Sequence, residues 1–225
     1  MQIITKKVRL VWDNPYVTDG LVAMWDGQWN FGGGIHSPKG NRLYELISST
    51  TETAVASTFT VGKNFWEVKT AIAANRVTEL TTAFKNAILG GAAHLDVITY
   101  VNAPATAIYG NVITMSGINF GYQPASGLGG FSLLTSGRHL VQDTKLIGRS
   151  AANLEIDINS TESTLTYTVG TESTTISVEP LDSLSNHFYI AVPGTRLYCA
   201  RVYNRLLSSS EKSANHEMDK LRFPL

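Results

Sequence analysis

The stretch "RLYCARVYNRLLSSSEKSANHEMDKLRF", Arg196 to Phe223, decides the reading of the fold because its two halves follow different periods. The first half is an apolar run with aromatic and β-branched residues, the composition of a strand. Side chains alternate along extended chain, so Val202 and Tyr203 face opposite ways. Arg201 and Arg205 share one side, where they are expected to bond backbone carbonyls or nearby carboxylates. The second half begins with Ser208 as an N-cap and Glu211 three residues on, the pair that completes a capping box. A short C-terminal helix is therefore predicted directly after the last strand. Cys199, the single cysteine, has no intrachain partner and reads as a small buried hydrophobe inside the apolar run.

Working back from that strand, most of the chain consists of short alternating runs separated by Gly, Pro, Asn and Ser. "KKVRLVW", "GLVAMW", "LDVITYV", "GNVITMSGINFGY", "GGFSLLTSG", "LEIDIN", "LTYTV", "TTISVE" and "HFYIAV" precede "RLYCARVY". Val169-Gly170-Thr171 reads as a hairpin turn between two of them, with glycine where positive φ is needed. Roughly ten strands at this spacing describe a sandwich. One segment departs from the pattern: "VKTAIAANRVTELTTAFKNAILGG" places Val77, Leu80, Phe84 and Ile88 on one helical stripe and stops at Gly90-Gly91. A helix over about Thr78 to Leu89 is expected.

The chain has 225 residues, a size that suits one all-β domain spanning 1–225, and it contains no repeat or linker composition. Lysine plus arginine and aspartate plus glutamate number 18 each, so no excess charge attracts phosphate backbones or an anionic membrane surface. Nucleic acid and membrane are excluded as expected partners. Lys6, Lys7 and Arg9 interrupt any apolar stretch near the start that would serve as a secretory signal, and a neutral chain is easier to tolerate inside an assembly.

Two pieces carry a family resemblance. "GLVAMWDGQWNFGGGIH", Gly20 to His36, and the stretch from Arg196 to Phe223 resemble the opening and closing signatures of laminin-G-like (concanavalin A-like) jelly-roll proteins of gut bacteria and their phages. The closing piece, with Arg201-Val-Tyr-Asn-Arg205, Ser208, Glu211 and Asp219-Lys220-Leu-Arg222-Phe223, is the more specific. The resemblance implies an antiparallel two-sheet jelly-roll sandwich, all-β apart from one short internal helix and one short C-terminal helix, with first and last strands close together. Arg201 to Arg205 is read as architectural.

The same jelly roll carries laminarinase-like glycoside hydrolases, whose strand motif Glu-x-Asp-x-Glu is similar to Glu155-Ile-Asp157-Ile-Asn159. Retaining hydrolysis uses two carboxyl groups, one as nucleophile and one as acid then base. On that correspondence Glu155 is the nucleophile, Asp157 its electrostatic neighbour, and the acid/base position holds Asn159, whose amide neither donates nor accepts the proton. Alternation on a half-exposed strand produces the same letters by default. The sequence therefore predicts a protein that is not an enzyme, with no catalytic residues.

His36, His94, His139, His187 and His216 are scattered without ligand spacing, so no metal or cofactor is expected, although a calcium bridging loops stays open. The glycine runs in "FGGGIH" and "SGLGGF" lack the following helix that cradles phosphate and read as loops or bulges. The binding candidates lie in "MWDGQWNF": Trp29 to stack on a sugar ring, with Asp26 and Asn30 for its hydroxyls, and Tyr122 of "GYQPASG" as a companion, while Trp25 reads as core. Two functions follow. The first is a non-catalytic structural or adhesion protein of a phage virion, such as a capsid decoration, head-fibre or tail protein. Its partners are other virion proteins or further copies of itself, and a cell-surface glycan. The alternative is a lectin-like carbohydrate-binding module of a gut bacterium, at the cell surface or outside the cell. A laminarinase-like hydrolase using Glu155 ranks behind both.

Overall fold

The computed structural model describes residues 14–28, 42–44, 46–47, 52–54, 59–62, 64–68, 83, 86–100, 110–115, 118–123, 128–133, 137–141, 151–177, 194–223 and 225. The runs "KKVRLVW" and "HFYIAV" lie outside them. In chain order the strands are β1 (Leu21–Asp26), β2 (Arg42–Tyr44), β3 (Glu52–Ala54), β4 (Phe59–Val61), β5 (Trp66–Val68), β6 (Ala92–Tyr100) and β7 (Gly110–Met115). There follow β8 (Ile118–Gln123), β9 (Leu128–Leu133), β10 (Gly137–Val141), β11 (Ala152–Asn159), β12 (Thr164–Val169), β13 (Glu172–Ser177) and β14 (Arg196–Tyr203), and then the C-terminal helix Ser209–Arg222. Every pairing among them is antiparallel.

The main sheet runs β13–β12–β11–β6–β14, and the far edge of β14 is shared. Its Arg196–Leu197 end pairs with β5, which carries β4, and its Cys199–Tyr203 end pairs with β1. First and last described strands are thus neighbours, as the two terminal signatures imply. Strands β7 to β10 form a separate four-stranded meander, of which β9 and β10 approach β12 and β13, and β2 pairs with β3. "GNVITMSGINFGY" is broken into β7 and β8 rather than one run, and Gly129 and Gly130 of "SGLGGF", read as a loop or bulge, lie within β9.

Both faces of the main sheet are covered. Leu95, Val97, Leu154, Ile156, Ile158, Leu165, Tyr167, Val169, Ala200, Val202 and Trp25 line one face and are fully or almost fully buried. On the other, Tyr16, Leu21, Met24, Ile98, Cys199, Tyr203, Leu207 and Phe223 form a cluster with Tyr198 beneath the C-terminal helix. Tyr198 and Cys199 are adjacent yet pack into the same cluster, because a register shift between Leu197 and Cys199 inserts Tyr198 as a bulge.

Local signals explain the ends of the elements. Gly170 adopts φ 59°, and Val169 pairs with Glu172, leaving Gly170 and Thr171 as a two-residue turn. Of the expected helix over about 78 to 89, Ala83 and residues 86–89 are described and helical, and Gly91 N–H bonds Ile88 carbonyl at its stop. Ser208 Oγ accepts from Glu211 N–H while the Glu211 carboxylate accepts from Ser208 N–H at 2.8 Å, the capping box read in the sequence. Replacing Ser208 by Ala removes one arm of the box and is expected to cost about 1 kcal/mol, seen as a lower urea midpoint with unchanged slope. An unchanged midpoint would show that the cap does not hold the helix.

Candidate functional site

Glu155 and Asp157 project from β11 onto the face covered by the helix, and the register aligns them with charged residues of the two neighbouring strands. Asp157 stands opposite His94, which stands opposite Tyr203; Glu155 stands opposite Asp96, which stands opposite Arg201. Over these two rows the C-terminal helix lays Lys212, Asn215, Asp219 and Arg222, residues spaced three or four apart and so on one helical face. The stripe that the helix buries is polar.

Arg201 is completely buried. Its Nε and Nη2 donate to Asp96 Oδ2 at 3.1 and 2.5 Å, while Nη1 and Nη2 donate to Asp219 Oδ1 and Oδ2 at 2.8 and 2.5 Å. The Tyr16 ring lies 4.0 Å from the guanidinium carbon, and its hydroxyl donates to Asp219 Oδ1 and accepts from Arg222 Nη1. Arg222 also pairs with Asp26 at 2.8 Å, and Asn215 joins Tyr203 hydroxyl to Val17 N–H. On β11, Lys212 Nζ bridges Asp157 and Glu155, the latter at 3.1 Å, and His94 Nδ1 meets Asp157 Oδ1 at 2.7 Å.

Counting this network, five carboxylates (Asp26, Asp96, Glu155, Asp157 and Asp219) face three permanent cations, Arg201, Lys212 and Arg222. Asp96, almost completely buried, is shifted up. Burial pushes its carboxyl up, Arg201 pulls it down, and Asp219 and Glu155 push it up again, to about 6. Asp157 is treated oppositely: burial raises it, but the hydrogen bonds from His94 and Lys212 outweigh burial and hold it below the ordinary carboxylate range. Lys212 is shifted up, since its two carboxylates outweigh its own burial.

His94, Glu155 and Asp157 offer three donor atoms within 4.8 Å of one another, a set that a divalent metal accepts, with the Lys212 ammonium lying on both carboxylates. Histidine spacing gives no hint of this group, because 63 residues separate His94 from Asp157. Asn159, at the acid/base position of the hydrolase motif, accepts from Thr161 N–H and Glu162 N–H, both at 3.1 Å, and so organises the turn into β12. Arg205, expected to share a strand face with Arg201, lies past the end of β14 and pairs with Asp19 and Glu211.

Of the sugar-binding candidates, Trp29 and Asn30 lie outside the described residues. Asp26 is fully buried with its carboxylate turned to Arg222 and Gln28 N–H, not to solvent. Tyr122 belongs to β8, opposite Gly110 and Gly129, and not to the following loop. Trp25 and Cys199 are core, as read. Among the described residues, no helix is long and apolar enough to cross a membrane.

No protein-family model and no curated protein matches the sequence. Solved structures do match. Trypanosoma rangeli sialidase in complex with sialic acid is similar at a TM-score of 0.60 and 12% identity, over 90% of this chain and 33% of that one. The same sialidase with the inhibitor DANA gives 0.61 and 13%, over 88% and 33%. The CBM40 of Ruminococcus gnavus IT-sialidase, bound to α2,3 sialyllactose, gives 0.47 and 14%, over 66% and 94%. The likeness is one of fold. This chain spans about a third of the length of the Trypanosoma rangeli chains. The comparison corrects the expectation that the protein is not an enzyme: the Trypanosoma rangeli structures that it matches are of a sialidase, an enzyme. The amide at Asn159 argues against laminarinase-type chemistry at Glu155 and gives no ground for excluding catalysis of another kind.

The upward shift of Asp96, driven first by its burial, has a measurable consequence. Asp96 titrates near its ordinary 3.8 when unfolded and about 6 when folded, so the native state takes up a proton as pH falls through about 6 and gains stability on doing so. Urea midpoints of the wild type should therefore rise relative to those of Asp96→Asn as the pH is lowered from about 7 to about 5. A difference that does not vary with pH would contradict the shift.

Proposed function

We propose that this chain is a glycan-binding sandwich of jelly-roll form, its meander and main sheet packed face to face, acting in adhesion. The observation that carries the reading is the likeness of nine-tenths of the chain to part of a sialidase found in complex with sialic acid. The buried charge network supports it by giving the covered face of the main sheet a structural role, which leaves recognition to the strand ends and loops. Trp29 and Asn30, which follow the turn at Gly27–Gln28, are proposed as sugar contacts, with Tyr122 as a further one. We place the protein on a phage virion, in contact with other virion proteins or with copies of itself; the neutral charge balance and the resemblance of its terminal signatures support that placement.

A glycan array carrying neutral and acidic oligosaccharides tests the reading. The wild type is expected to give specific retention that Trp29→Ala weakens about tenfold or more, the scale of one lost stacking contact. Absence of retention on every glycan, with the protein shown to be folded, would sink the proposal. A fluorogenic sialoside in the same buffer reads cleavage separately from binding, and co-sedimentation with purified particles reads the virion placement.

A further inference from the structure

At the β5–β14–β6 corner, the register makes Glu67, Arg196 and Tyr100 one cross-strand row, Arg196 standing opposite both others. The Arg196 backbone is fixed there by the ladder and by Thr99 Oγ1, which donates to its carbonyl at 2.9 Å. Its side chain is held as firmly. The guanidinium carbon lies 4.7 Å from the Phe65 ring centroid and 5.2 Å from that of Tyr100, and Phe65 is itself braced edge-on by Tyr198. Nε donates to Glu67 Oε2 at 2.6 Å. A guanidinium carries five N–H donors, more than its partners among the described residues take up. The Arg196 side chain is nevertheless 39% exposed, in contrast to the completely buried Arg201. An arginine whose rotamers are already restricted by two rings, and whose side chain stays part exposed, is preorganised to receive a planar carboxylate.

The position of this corner strengthens the case. The chain leaving β1 turns at Gly27, whose N–H bonds Tyr198 carbonyl at 2.8 Å, and a Cβ there would lie 2.5 Å from Asn64 carbonyl oxygen and 2.9 Å from Phe65 Cα. Only glycine permits that approach. The turn out of β1 is thereby pinned at Gly27 against Asn64, Phe65 and Tyr198.

We propose that Arg196, steadied by Phe65, Tyr100 and Glu67, binds the carboxylate of an acidic sugar, a sialic or a uronic acid. This deepens the glycan-binding reading and rests on it. Glu67 competes with the ligand for the guanidinium, so the pair sets affinity in opposite directions: losing the arginine weakens acidic glycans, and neutralising the glutamate strengthens them.

The test is calorimetric titration of the whole chain with α2,3-sialyllactose, lactose and trigalacturonate. The wild type should bind sialyllactose or trigalacturonate at least about tenfold more tightly than lactose, the scale of a charge-assisted fork. Which of the two binds identifies the source of the carboxylate. Arg196→Gln should bring the acidic ligand to the level of lactose with an unchanged melting temperature, and Glu67→Gln should tighten it. Acidic ligands unaffected by Arg196→Gln, or a wild type that prefers lactose, would overturn the site while leaving glycan binding intact. Binding of none of the three by a protein that also fails on the array would remove the glycan reading and this site with it.

Discussion

Arg201 has no exposed surface, and much of the structure depends on satisfying it. A buried guanidinium is tolerated only where its charge and donors are met, since removing one partner of a buried ion pair costs about 3–5 kcal/mol. Its partners come from distant parts of the chain: Asp96 from the central strand, Asp219 from the C-terminal helix, and the face of Tyr16 from the segment before β1. Meeting the needs of one side chain therefore seats the helix on the sheet and brings the N-terminal segment beneath it. Arg222, bonded to Tyr16 and Asp26, repeats the arrangement one helical turn further on.

This explains what the strand "LEIDIN" is for. Its apolar side chains complete one face of the sheet, and its acids meet the helix, where Lys212 spans Glu155 and Asp157. The alternation does not make a solvated face, because Lys212 covers both acids. It supplies anions to an interface that already holds Asp96 and Asp219, where burial first, and Asp219 and Glu155 after it, raise Asp96.

Strands β1, β6, β9 and β11 to β14 are legible because their signals are local, whereas β2 to β5 and β10 are not among the runs that the sequence shows. Alternation, β-branched runs, Gly170 in the turn and the Ser208–Glu211 box are all read within a few residues, and each reappears in the structure. What the sequence hid is pairing over long range. The stripe Lys212, Asn215, Asp219, Arg222 has helical spacing but is polar, so hydrophobic periodicity could not reveal it as the buried face. Asp26 looked like a solvent-facing sugar ligand because its partner, Arg222, is 196 residues away. Asn159 was read as a lost acid by comparison with a motif, although an asparagine at a strand end followed by "STES" is also a turn signal. Nothing local marks Arg196, since only the register places it between Tyr100 and Glu67.

The central claim is that the C-terminal helix is an integral part of the sheet's packing, held through Arg201. Native-state amide hydrogen exchange tests it most directly. If the clasp works as described, the amides of Asn215 to Leu221 exchange only through global unfolding, with the same opening free energy as Ala200 to Val202 of β14. Helix amides that exchange through a low-energy local opening, while the β14 amides stay protected, would contradict it.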